Sequence, residues 1–235
     1  MKYIWGAASH QGMVRANNED SIFPDSSGES DTVVTLMVAD GMGGAVGGEV
    51  ASRLAVNAAA STDVDPADRV AAANRAIREE VAREPSLEGM GTTLTLVSLT
   101  PDGKAHLAHV GDSRAYLLRR DTMDQLSADH TVAADLLARG QISPEEAAQH
   151  PQRHMLTRVL GLTRFLNVDE EIVPLESGDR MLLCSDGLID MVSDDRIQEI
   201  LGRGTPEEVT WELIEAANSS GGVDNISVIV IEALE

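Results

Sequence analysis

The sequence predicts an α+β protein in which antiparallel sheets carry helices on their outer faces. Three observations lead there. Short β-branched runs with partial alternation recur along the chain, helix-forming stretches with clear start signals lie between some of them, and the strand-like runs follow one another with few βαβ alternations. In chain order, "DTVVTLMVAD" (31 to 40) reads as a strand, and helices read from "GGEVASRLAVNAAA" (47 to 60) and "DPADRVAAANRAIREEVARE" (65 to 84). "TTLTLVSLT" (92 to 100) and "KAHLAHVGD" (104 to 112) are strands parted by "PDG", a turn signal that predicts an antiparallel hairpin. "SRAYLLRR" (113 to 120), "RMLLCSD" (180 to 186) and "NISVIVIEA" (225 to 233) complete the strand set. Two further helices announce themselves by capping boxes, "SPEE" (143 to 146) and "TPEE" (205 to 208), with Ser or Thr as N-cap, proline at N1 and glutamate at N3.

Length and composition bound the rest. The chain has 235 residues, 43% of them hydrophobic, enough for one large domain and cramped for two. No linker, low-complexity tract or internal repeat divides it, so residues 1–235 read as a single domain. No run of about 18 apolar residues suggests a membrane span, and the expectation is a soluble, cytoplasmic protein without membrane contact. Cys184 is the single cysteine, which rules out an internal disulfide. A net charge of -21 argues against nucleic-acid binding, which needs a basic surface to neutralise phosphates. Lys2 and Lys104 are the only lysines among the 18 basic residues. Most of the acidity reads as a solvated, self-repelling surface.

A few acids sit where a surface role does not explain them. In "VADGMGGAVGG" (38 to 48) Asp40 ends an apolar run and five glycines follow within eight residues. Asp112 follows "HLAHVG", Asp186 follows "MLLCS" and Asp224 precedes "NISVIVI". Each lies where a strand meets a loop, and three adjoin glycine. One Asp-Gly pair is an ordinary turn signal. Four such acids gathered together would repel one another, which implies either a bound cation or strongly raised pKa values. The absence of Cys-x-x-Cys and His-Glu-x-x-His spacings, and the scatter of the six histidines, favours the hard ions Mg²⁺ or Mn²⁺ over zinc. His106 and His109 fall in a strand and read as packing residues.

Taken in order, "VRANNEDS" (14 to 21), "VADGMGG" (38 to 44), "GEVAS" (48 to 52), "GMGTTLT" (89 to 95), "HVGDSRAYLL" (109 to 118), "LLCSDGL" (182 to 188) and "GGVDNISVIV" (221 to 230) resemble the motifs of the PP2C, or PPM, metal-dependent protein serine/threonine phosphatases. The resemblance spans nearly the whole chain and is nearest to bacterial members that oppose Hanks-type kinases in signalling. It implies a four-layer α-β-β-α sandwich of two antiparallel sheets, with a centre for two Mn²⁺ or Mg²⁺ ions at one end. By position, Asp40 bridges the two metals and the Gly41 carbonyl binds one of them. Asp186 and Asp224 hold the other, and Asp20 supports the site through water. Asp112 resembles the residue that, with Asp186, holds a third and weaker ion. Glu19 is adjacent and receives no ligand role. Arg15 matches the phosphate-binding arginine, whose planar fork suits two phosphoryl oxygens.

The chemistry so implied is direct attack without a phosphoenzyme. Two ions about 3.5 to 4 Å apart lower the pKa of a shared water and hold the hydroxide in line with phosphorus. The implied partners are phosphorylated proteins and a Ser/Thr kinase with its substrates, and the implied state is a monomer. Residues 130 to 161 resemble the flap subdomain beside the bacterial site. Some relatives of this type continue into a membrane anchor or sensor domain, so "IEALE" is either a natural end or a boundary within a longer protein. One departure stands out, since many eukaryotic members have histidine where this chain has Met42. Methionine donates no proton to a leaving alkoxide, which leaves a metal-bound water or another side chain. His130 in "SADH" is a candidate donor but reads better as loop packing or capping.

Other chemistries fail on the same letters. A cysteine-dependent phosphatase needs Cys-x5-Arg, and Asp190 stands six positions after Cys184, a residue that reads as a buried strand position. "GDSRA" lacks the last glycine of a serine hydrolase elbow, and Lys104 is followed by Ala105 rather than the Ser or Thr of a Walker A loop. The remaining alternative is a catalytically silent, phosphatase-like binding or sensor module, which loss of a metal-site aspartate would favour; all are present.

Overall fold

The computed structural model describes residues 1–43, 47–61 and 65–235. Thirteen strands appear among them: β1 (Lys2–His10), β2 (Ser21–Phe23), β3 (Gly28–Ser30), β4 (Val34–Ala39), β5 (Gly41–Met42), β6 (Gly91–Thr92), β7 (Leu94–Thr100), β8 (Lys104–Val110), β9 (Arg114–Arg119), β10 (Thr122–Gln125), β11 (Asp169–Pro174), β12 (Arg180–Cys184) and β13 (Ile226–Leu234). The helices are α1 (Gly47–Ala60), α2 (Pro66–Arg83), α3 (Val132–Ala138), α4 (Pro144–Ala148), α5 (Asp186–Ile189), α6 (Asp194–Leu201) and α7 (Pro206–Ser219). Two antiparallel sheets dominate, one in the order β10-β9-β12-β13-β1-β3 and the other β11-β8-β7-β4-β2, with β5 and β6 forming a separate two-stranded ribbon.

Three apolar layers define the four layers of structure around them. Tyr3, Trp5, Leu36, Val38, Val97, Leu107, Leu117, Leu183 and Ile231 interdigitate between the sheets. The outer face of the six-stranded sheet buries Leu182, Val228 and Val230 against Ile197 of α6 and Leu213 of α7. The five-stranded sheet presents Met37, Leu96 and Ala108 to α1 and α2, whose contact residues are largely alanines, Ala51, Ala55, Ala59 and Ala73. Small residues there let the helices lie close to one another, and the two stay in extensive contact. Each large side chain taken from water in these layers contributes about 1.5 to 3 kcal/mol before the cost of ordering it.

The hairpin expected at "PDG" joins β7 to β8 with Thr100 opposite Lys104. Both capping boxes form, Ser143 with Glu146 and Thr205 with Glu208. The strand β1 was not among the expected elements, yet it pairs along its full length with β13 inside the six-stranded sheet. Its signal was the run Tyr3-Ile4-Trp5, whose odd positions face the inter-sheet core. Of residues 130 to 161, α3 and α4 make up the helical part. A bridge between Thr131 and Leu156 closes the segment on itself, and its ends are tied back by His130 N donating to Gly111 O at 2.7 Å and by a bridge between Thr92 and Leu160.

Candidate metal centre

Strand register explains why acids far apart in sequence meet. In the five-stranded sheet β4 and β8 both run antiparallel to β7, so their C-terminal ends lie at one edge, where β2 also begins. In the six-stranded sheet the end of β12, the start of β13 and the start of β9 lie together, because Cys184 is opposite both Val228 and Arg114. Asp40 and Asp20 stand at the first edge, Asp186 and Asp224 at the second. Asp112 is in the short crossing from β8 to β9 that links the two sheets. All but Asp20 line one cleft, together with Arg15, Gly41 and Met42. Asp20 lies buried behind them.

Each side chain is held by local bonds that follow from its neighbours. Asp40 N donates to Thr93 Oγ1 at 2.9 Å, and its carbonyl accepts from Thr93 N at 2.9 Å and Thr92 Oγ1 at 2.7 Å. Thr93 Oγ1 shares a further 2.7 Å bond with Ser113 Oγ, which couples the Asp40 turn to the Asp112 crossing. Gly111 before Asp112 has φ +119°, and a Cβ there would fall 2.5 Å from the Thr93 side chain, so glycine is required. At Gly41 a Cβ would lie 2.2 Å from Gly48 O and 2.5 Å from Glu19 O. The glycine-rich stretch therefore brings three backbone segments into contact beside Asp40. Gly44, Ala45 and Val46 of that stretch lie outside the described residues. Asp20 Oδ2 accepts from Ser185 Oγ at 2.7 Å. Asp224 Oδ1 accepts from Asn225 N at 2.8 Å, while its Oδ2 pairs with Arg15 Nη2 at 2.5 Å.

The electrostatics are those of crowded, dehydrated carboxylates. Burial, followed by the charges of Asp186 and Asp129, pushes Asp112 up to about 8. Burial is also the main cause that raises Asp20 to about 7 and Asp186 to about 6, with neighbouring aspartates adding to both. Asp40 is raised well above the usual carboxylate range by burial and by Asp20, Asp186, Asp112 and Asp224. Asp186 Oδ1 is buried without a hydrogen-bond partner. An orphaned anionic oxygen in an all-oxygen donor set, facing several unneutralised acids, fits a hard divalent cation.

Several participants carried no assignment in the sequence reading. Asn225 clasps the N-terminal loop, its Nδ2 donating to Gln11 O and Asn17 O at 2.9 Å each and its Oδ1 accepting from Glu19 N at 2.8 Å. The signal was a polar residue at the start of an otherwise apolar strand. Asp190, one turn after Asp186, and His154, from the segment after α4, bring ligand-type atoms within 4.8 Å of one another and of Asp186. Arg114 is clamped bidentately to Asp129 at 2.8 and 2.7 Å. His130 is a strut, accepting from Gly111 N at 3.0 Å through Nδ1 and meeting Asp169 Oδ2 at 3.1 Å through Nε2. Its burial and these two bonds place it in loop packing, as expected. His109 is likewise buried, bonded to Thr95 Oγ1 at 2.8 Å.

Against known sequences, a family model described as protein phosphatase 2C matches residues 9–210. The chain belongs to the protein phosphatase 2C family. Among curated PP2C-type relatives, it is 42% identical to the serine/threonine protein phosphatase PstP of Mycobacterium tuberculosis over 98% of this chain and 45% of that protein. The chain thus spans a little under half the length of PstP. It is 38% identical to the serine/threonine phosphatase Stp of Listeria innocua over 94% of this chain and 92% of the relative. A crystal structure of the M. tuberculosis PstP/Ppp phosphatase superposes with a TM-score of 0.92 at 40% identity, covering all of both chains. The PstP catalytic domain in complex with two manganese ions gives 0.86 at 39% identity, again over both chains in full.

Proposed function

We propose that this PP2C domain is a metal-dependent protein serine/threonine phosphatase that removes phosphate from phosphoserine and phosphothreonine in proteins. The observation that carries the reading is the meeting of Asp40, Asp112, Asp186 and Asp224 with an arginine in one cleft, with a buried Asp186 oxygen left unpaired. In this reading Asp40, the Gly41 carbonyl, Asp186 and Asp224 would hold two Mn²⁺ or Mg²⁺ ions, Asp20 would support the site through water, and Asp112 with Asp186 would hold a third, weaker ion. When bound, such ions lower the pKa of water and offset phosphoryl charge. The protein's own contribution is positional. The Thr92 and Thr93 bonds fix Asp40, and Arg15, drawn to the site by Asp224, presents its guanidinium to phosphoryl oxygens.

The names of the relatives support phosphoproteins as partners, and a kinase of the Hanks type supplying those substrates fits the bacterial resemblance. Action as a monomer in the cytoplasm fits the acidic surface and the single buried Cys184, and no helix among the described residues is long and apolar enough to cross a membrane. Mn²⁺-dependent release of phosphate from a phosphothreonine peptide tests the whole reading. Absence of release at millimolar Mn²⁺ overturns it and favours a silent module.

Two kinetic outcomes are expected for the less constrained positions. Met42 lines the cleft and is partly exposed. An aryl phosphate has a leaving group that needs no proton, so Met42→Ala costs less than about tenfold on that substrate. A loss of a hundredfold or more shows instead that Met42 shapes the centre itself. Arg15→Ala raises KM, because it removes a contact made in both ground and transition states. Asp112→Ala lowers kcat with KM little changed, and added Mn²⁺ restores it only in part. If Asp112→Ala matches the parent at every Mn²⁺ concentration, the third-ion role is wrong.

A further inference from the structure

Arg15 and Asp224 each adjoin an exposed apolar turn. Met13 and Val14 are each 67% exposed and Val223 is 46% exposed, and none belongs to the three apolar layers of the fold. Scattered apolar residues on a surface need no explanation, but adjoining ones on a rigid support do. The two turns are locked together, with Met13 N donating to Gly222 O at 2.7 Å and Asn225 Nδ2 to Gln11 O at 2.9 Å. Gln11 Nε2 closes the first turn onto Arg15 O at 2.6 Å. A Cβ at Gly222 would lie 2.8 Å from Met13 Cγ, so Met13 rests directly on the second turn. The fold thus presents a braced apolar rim beside an arginine that lines the cleft.

We propose that this rim docks the residues flanking the phosphorylated side chain of a peptide substrate, selecting apolar neighbours. The proposal rests on the phosphatase reading above. A peptide that delivers a phosphoryl group to Arg15 continues past it at about 3.3 Å per residue, so its adjoining side chains come down on Met13, Val14 or Val223. Charge narrows the occupant further. Beyond the proposed metal ligands, the cleft beside the rim holds Glu19 and Asp190, and the chain carries a net charge of -21. A peptide with acidic neighbours is repelled there, as is a second copy of this chain, whereas apolar neighbours gain burial on a preorganised surface.

The test uses phosphothreonine peptides identical except for the two residues flanking the phosphothreonine, leucine in one, serine in the second, aspartate in the third. Each peptide's kcat/KM is divided by that for an aryl phosphate, in the parent and in two variants, Met13→Ser/Val14→Ser and Val223→Ser. In the parent the leucine peptide is favoured over the serine peptide about fivefold to tenfold, mainly through KM, and the aspartate peptide is poorest. In the variants the leucine preference falls to within about twofold. Equal ratios for the leucine and serine peptides in the parent overturn the docking, without needing any variant to fold. A preference left intact in both folded variants overturns it too. Lack of Mn²⁺-dependent hydrolysis of peptide and aryl phosphate alike overturns the phosphatase reading and the docking with it.

Discussion

Replacing Asp40 by asparagine is expected to lower Mn²⁺-dependent phosphate release about a thousandfold or more while the fold stays intact. The substitution keeps shape, so the backbone bonds from Asp40 to Thr92 and Thr93 survive. What it removes is the charge at the point where the ends of both sheets meet. Asp186→Asn is expected to fall as far, since it deletes the buried anionic oxygen that has no protein partner. Circular dichroism establishes the fold, and calorimetric titration with Mn²⁺ counts the sites lost. Activity retained in either variant, together with tolerance of excess EDTA, excludes a metal mechanism at this centre.

The second large effect is on stability, and it has the opposite sign. Asp186, Asp20 and Asp112 rise from 3.8 to about 6, 7 and 8 on folding. Between about pH 4 and pH 8 the unfolded chain has released these protons while the folded protein still holds them. Raising the pH through that window therefore favours unfolding, and the stability present below pH 4 is progressively lost. For chelator-treated protein, a loss of several kcal/mol from pH 5 to pH 8 is expected, a fall of roughly 10 °C or more in Tm. Saturating Mn²⁺ abolishes most of that fall, because binding to the folded form alone adds about 4 kcal/mol at a thousand times Kd. Asp40→Asn, by removing one of the mutually repelling acids, raises the Tm of metal-free protein at pH 8. Thermal melts at several pH values, with EDTA and with Mn²⁺, measure all three. A Tm that rises with pH in EDTA contradicts the crowded-carboxylate description.

The acids at strand ends were legible because a charged residue at the end of a buried run, beside glycine, departs from what either a strand or a surface loop needs. Asp40, Asp112 and Asp186 had that mark in full, and Asp224 stood at the start of a buried run without the glycine. Asn225, Asp190 and His154 had no such mark. A polar residue opening a strand, an aspartate just after a four-residue helix and a histidine in an irregular segment each have ordinary local explanations. Their roles depend on what lies opposite, and periodicity says nothing of that. Strand β1 escaped for a related reason, since three aromatic or branched residues at a chain's start are weak evidence until β13 pairs with them.

By itself the sequence determined the local alphabet of this protein. It set the hairpin at "PDG", the two capping boxes, the alternating strands, the positions of the acids and the glycines that allow close backbone approach, all of which depend on contacts within a few residues. Only the tertiary structure decided that Asp20 and Asp40 on one sheet face Asp186 and Asp224 on the other. That choice follows from long-range register, in which a strand's partners are selected by burial on both faces rather than by its neighbours in the chain. The same register places Arg15 against Asp224, 209 residues away, and forces the acids into a dehydrated cleft where raised pKa values and cation binding are two responses to one repulsion.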